Sequence, residues 1–135
     1  MRLVLDTNVL VSALLHPGRT PDLALAALRA RGDLVLYDER LMREYRDVLG
    51  RKKFASIDPA RTATLLGGIE ASGIVVIESP RYTGAMIDDD DRMFVEVALA
   101  GRADALITGN VKHYVDGLGF EVLAPAAWLA RFGTT

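Results

Sequence analysis

Short, continuously apolar runs alternate with longer stretches in which apolar residues recur every three or four positions. Residues 2–5 (RLVL), 34–37 (LVLY), 74–77 (IVVI), 105–107 (ALI) and 121–123 (EVL) read as strands. Between them the period is helical. Residues 7–15 predict a first helix. TPDLALAALRARG predicts a second, with Thr20 as N-cap, Pro21 as the first helical residue and Gly32 as the stop. Asp38 caps the next, which ends at Gly50, and Asp58-Pro59 opens another that runs to Gly73. An aspartate run opens a helix that stops at Gly101, and Pro125 begins a short last one. Strands apolar throughout, set between helices, predict a parallel sheet covered on both faces. The expected fold is one three-layer α/β/α domain over residues 1–135, with about five strands and no linker or repeat.

Composition narrows the class only a little. Half the residues are hydrophobic and a quarter charged, an ordinary soluble balance. With no cysteine there are no disulfides or thiolate metal sites, which fits a cytoplasmic location. The apolar N-terminal stretch is broken by Asp6, Thr7 and Asn8, so no signal peptide is expected. No run approaches the roughly 20 apolar residues of a membrane span. A net charge of −2 argues mildly against permanent residence on nucleic acid.

Candidate chemistry lies with the acids. Ligands of open parallel sheets bind beyond the carboxyl ends of the strands, here the segments LDTN and ITGN. Asp6 follows the first strand directly, where it either caps the next helix or faces a ligand; Thr7 and Asn8 suit both readings. Glu44 falls within or beside the stripe Leu41, Tyr45, Val48 and Leu49, so it either reaches water at the margin or needs a partner. In IDDDDR, residues 87–92, four carboxylates stand together. Asp91 shares a face with Phe94, Val95, Ala98 and Leu99 and is expected to point inward, whereas Asp88, Asp89 and Asp90 are expected as caps or solvated charges. Three carboxylates from distant segments suit a hard cation, Mg²⁺ or Mn²⁺. Such an ion activates water and neutralises phosphate charge.

The motifs LDTNVLVSALL, LMREYRDVL, DDDDRMFVEVALAGRADALITGN and VLAPAAWLA, in this order over nearly the whole chain, resemble the PIN-domain proteins. Among these the resemblance is to VapC-like toxin components of bacterial toxin–antitoxin systems. It implies an endoribonuclease dependent on Mg²⁺ or Mn²⁺, often homodimeric, silenced by a small cognate antitoxin, and leaving 5′-phosphate and 3′-hydroxyl ends. The family's acidic positions fall on Asp6, Glu44 and Asp91. Where many members have a further aspartate this chain has Asn110, which ligates without charge. Asn110 thus joins the implied metal set, with Asn8, Thr108 and Asp90 in support. Arg51, Lys52 and Lys53 are candidate phosphate contacts. His16 and His113, lacking a second histidine at ligand spacing, are read as surface residues, and Trp128 as packing. A different class remains alongside: a PIN-fold interaction module with weak or lost nuclease activity, suggested by Asn110 and the acidic pI. Phosphotransfer through Asp6 as nucleophile ranks below both, because no lysine or second aspartate stands in the usual local arrangement.

Overall fold

A computed structural model describes residues 1–133. Five strands form one sheet: β1 (Arg2–Leu5), β2 (Leu34–Tyr37), β3 (Ile74–Val75), β4 (Ala105–Ile107) and β5 (Glu121–Leu123). Their order is β3-β2-β1-β4-β5, and every neighbouring pair is parallel. In β1, Leu3, Val4 and Leu5 are all buried. Successive strand residues face opposite sides of a sheet, so burial of all three means that both faces are covered. The expected three-layer architecture follows.

Six helices supply the cover: α1 (Thr7–Leu15), α2 (Thr20–Arg31), α3 (Glu39–Leu49), α4 (Pro59–Ser72), α5 (Arg92–Ala100) and α6 (Pro125–Phe132). Helix α2 packs on both α1 and α6, while α5 lies against β1, β2 and β4. Asp38 caps α3 by accepting from the Leu41 amide at 2.9 Å, and Asp58 caps α4 by accepting from the Ala60 amide at 2.9 Å. Trp128 is fully buried against Phe132, with their ring centres 5.8 Å apart, as its packing role requires.

Three local expectations need correction. Thr20 is already the first residue of α2; Arg19 holds the cap position without a side-chain bond, and Asp22 instead accepts from the Gly18 amide at 2.7 Å. The run IVVI forms a strand only over Ile74–Val75, since β3 is an edge with a partner on one side alone. Its last ladder bond is Val76 amide to Tyr37 carbonyl at 2.7 Å, and Ile77 beyond it is exposed. On α5 the inward set includes Glu96 and Val97 in place of Leu99, which is 42% exposed. Glu96 tolerates burial because its carboxylate is matched: it accepts from Arg40 at 2.7 Å and from the Tyr82 amide at 2.8 Å.

Candidate functional site

The register Leu5↔Ile107 places Asp6 and Thr108 side by side beyond the tips of two central strands. The Asp6 amide extends that ladder, donating to the Ile107 carbonyl at 2.9 Å. Asp6 occupies the N-cap position of α1, yet its side chain makes no capping bond. Its buried Oδ2 instead accepts from the Thr108 hydroxyl at 2.9 Å and from the Tyr114 hydroxyl at 3.0 Å. The Thr108 oxygen also accepts from the Asn110 amide at 3.0 Å and from Asn8 Nδ2 at 3.4 Å, which uses one donor and two acceptor sites. Asn8 Oδ1 in turn accepts from the Gly109 amide at 2.8 Å. The chain between β4 and the 3-10 turn Val111–His113 is thereby fastened to the start of α1.

Two phenols bracket this acid. Tyr45, fully buried on α3, donates to the Leu5 carbonyl at 2.6 Å. Burial first, and the negative charge of Asp6 second, raise both Tyr45 and Tyr114 far above the ordinary phenol range, so both remain donors.

The aspartate run divides. Asp88 Oδ1 accepts from the Asp90 amide at 3.0 Å, capping a 3-10 turn, Asp89–Asp91, that precedes α5. Asp89 is exposed and pairs with Arg92 at 2.7 Å. Asp91 is the inward member: its Oδ2 is shut off from solvent and has no hydrogen-bond partner. Burial, then the charges of Asp6, Asp88 and Asp90, push its carboxyl up to about 6, and His113 pulls the other way. His113 Nδ1 lies 3.8 Å from that oxygen.

The structure gathers these acids differently from the set named on sequence grounds. Among the described histidine, aspartate and glutamate side chains, only Asp88, Asp91 and His113 bring three ligand atoms within 4.8 Å of one another. Asp6 acts on Asp91 through its charge. Glu44 is partly buried on α3 and lines a groove with Arg40, Arg43, Asp89, Asp90 and Glu96. It makes no side-chain hydrogen bond or ion pair among the described residues. Asn110 contributes its amide to Thr108, as above. Arg51 and Lys52 line a separate groove with Leu49, Phe54 and Leu66, while Lys53 lies 5.1 Å from the Phe54 ring. His113, expected only as a surface residue, is half-exposed and sits at the acidic cluster. Tyr114 and Asp88 are the other site residues that sequence reasoning passed over. The signal available for His113 and Tyr114 was their place one short turn beyond ITGN.

The donor set suits a divalent cation. Asp91 holds a buried, unpartnered oxygen, the charges of Asp6, Asp88 and Asp90 bear on it, and oxygen ligands prevail.

Comparison with known proteins bears on family and fold. A family model described as PIN domain matches residues 2–112. No curated protein matches the chain. Among solved structures, VapBC2 from Rickettsia felis, bound to a DNA fragment from their promoter, is similar in fold with a TM-score of 0.61. The identity is 19%, over 92% of this chain and 98% of that one. Since the span matched by the family model runs from β1 through the strand ends and the aspartate run to Lys112, the chain belongs to the PIN-domain family.

Proposed function

We propose that this protein is a metal-dependent endoribonuclease, the toxin of a toxin–antitoxin pair, acting in the cytoplasm. One observation carries the reading: in a PIN-family chain, the buried, unpartnered oxygen of Asp91 stands under the charge of Asp6 at the carboxyl ends of the central strands. Asp6, Glu44 and Asp91 would hold Mg²⁺ or Mn²⁺, with Asn110 as an uncharged fourth ligand. The ion supplies charge neutralisation at the phosphate and a more acidic water. The chain's own part is to position. Thr108 and Tyr114 fix one oxygen of Asp6, and Asn8 and the Asn110 amide fix Thr108. Asp90 sits on the same turn and would act on Asp91 through its charge. Arg51, Lys52 and Lys53 would serve, at most, a distant stretch of RNA.

The partner reading rests on VapBC2, whose name describes a complex, and a cognate antitoxin is proposed by analogy with it; a homodimer of this chain is proposed from the resemblance to VapC-like proteins alone. No helix among the described residues is long and apolar enough to cross a membrane.

The test is incubation of purified protein with single-stranded and structured RNA in Mg²⁺, Mn²⁺ or EDTA. Cleavage leaving 5′-phosphate ends, abolished by EDTA and by Asp6→Asn, is expected. Cleavage that survives complete chelation overturns the metal mechanism. A second reading, an RNA- or protein-binding module without turnover, is favoured by the missing charge at Asn110 and by Glu44 standing outside the close cluster. RNA retained intact with every ion would select it.

A further inference from the structure

His113 belongs to no part of the proposed nuclease set, yet its position is fixed from both sides. Its amide donates to the Asn110 carbonyl at 2.9 Å, closing the 3-10 turn, and the next residue, Tyr114, is bonded to Asp6 at 3.0 Å. Nδ1 is 3.8 Å from the buried Asp91 oxygen. That is too long for a hydrogen bond. It does fit two ligands of one ion, which lie about 3 to 4 Å apart when each bond is near 2.1 Å. An oxygen of Asp88 falls in the same span, since all three ligand atoms lie within 4.8 Å of one another.

We propose that His113, together with Asp91 and Asp88, is a direct ligand of the cation in this site and biases it toward a first-row transition ion over Mg²⁺. The proposal rests on the cation-centre reading above and adds a nitrogen ligand to it. Mg²⁺ gives up water reluctantly and takes oxygen ligands, whereas imidazole suits the transition ions. Mn²⁺ is the natural probe, because it accepts carboxylates and imidazole alike and is paramagnetic.

The experiment measures binding apart from turnover. Mn²⁺ and Mg²⁺ are titrated into metal-free parent, His113→Ala, His113→Gln and Asp91→Asn, and bound Mn²⁺ is examined by pulsed electron paramagnetic resonance. The parent is expected to bind Mn²⁺ more tightly than Mg²⁺ and to show coupling to an imidazole nitrogen. Both histidine variants, altered at a half-exposed position, should lose that coupling and weaken Mn²⁺ at least about tenfold, with Mg²⁺ nearly unchanged. Asp91→Asn should weaken both ions. Nitrogen coupling that persists in His113→Gln, or Mn²⁺ affinity equal in parent and both variants, overturns the proposal. So does a parent that binds neither ion. RNA cleavage separates the two readings: Mn²⁺ bound with nitrogen coupling but no cleavage defeats the nuclease alone, and cleavage indifferent to His113 with no coupling defeats the ligand alone.

Discussion

Asp91 keeps an oxygen away from water with no donor to meet it, and the acids Asp6, Asp88 and Asp90 surround it. Such an arrangement is costly without a cation, and the cost depends on pH. The Asp91 carboxyl ionises near the ordinary aspartate value of 3.8 when the chain is unfolded and only at about 6 when it is folded. Over that interval the folded protein keeps a proton that the unfolded chain has released, so Asp91's contribution is full below pH 4 and is lost as pH rises through 6. In EDTA, the stability of Asp91→Asn relative to the parent should therefore increase between pH 4 and 7, as read from urea midpoints. A constant difference would mean that the residue is not strained by its neighbours. The same run sorts by substitution. Asp90→Asn loses only a charge near a helix start, about 0.3–1 kcal/mol, Asp89→Asn weakens its ion pair with Arg92 as well, and both should keep their cation affinity. Asp88→Asn keeps its cap, since Asn caps about as well as Asp, yet should bind cation less tightly. Asp91→Asn should lose most cation binding without loss of metal-free stability. Thermal melts and metal titrations of the four variants decide it, and collapse of cation binding in Asp89→Asn would show that the inward oxygen has been misplaced.

Between β3 and the aspartate turn, the segment 78–87 is tied down from α5. Glu96 accepts from the Tyr82 amide, and Arg92 donates to the Tyr82 carbonyl at 2.6 Å and the Gly84 carbonyl at 3.0 Å. Helix α5 thus holds both the acids that precede it and the chain that leads into them. Glu96→Ala should cost about 1.5–3 kcal/mol, the usual worth of a hydrogen bond to a charged group. Amide exchange at Tyr82 should rise with it; protection unchanged at Tyr82 would assign the tether to Arg92 alone. The elements themselves were largely legible, because apolar runs, caps and glycine stops act over a few residues. Asp38 and Asp58 cap as their positions require, and Asp91 turns inward as its spacing to Phe94, Val95 and Ala98 requires. Long-range matching was not legible. Glu96 reads as one more polar residue until Arg40, 56 positions away, is placed against it. His113 gains interest only once the strand ends bring it to Asp91. The length of β3 depended on its being an edge, which local pattern does not reveal.

At the scale of the molecule, a cation that binds only the folded chain stabilises all of it. Saturation at about 100 times the dissociation constant is worth roughly 2.7 kcal/mol. Added Mn²⁺ should therefore raise the thermal midpoint of the parent by several degrees and leave Asp91→Asn unmoved; an equal rise in both would place the ion elsewhere. The sheet order has a further consequence. β1 is made well before its neighbour β4, and the bonds from Thr108 and Tyr114 to Asp6 span 102 and 108 residues. Synthesis proceeds from the N-terminus at about 5–20 residues per second. For about one to five seconds a growing chain on the ribosome therefore carries Asp6 and Asp91 without the segment that seats one and borders the other. The centre is therefore complete only once β4 and the turn behind it have emerged and docked on β1 and α1.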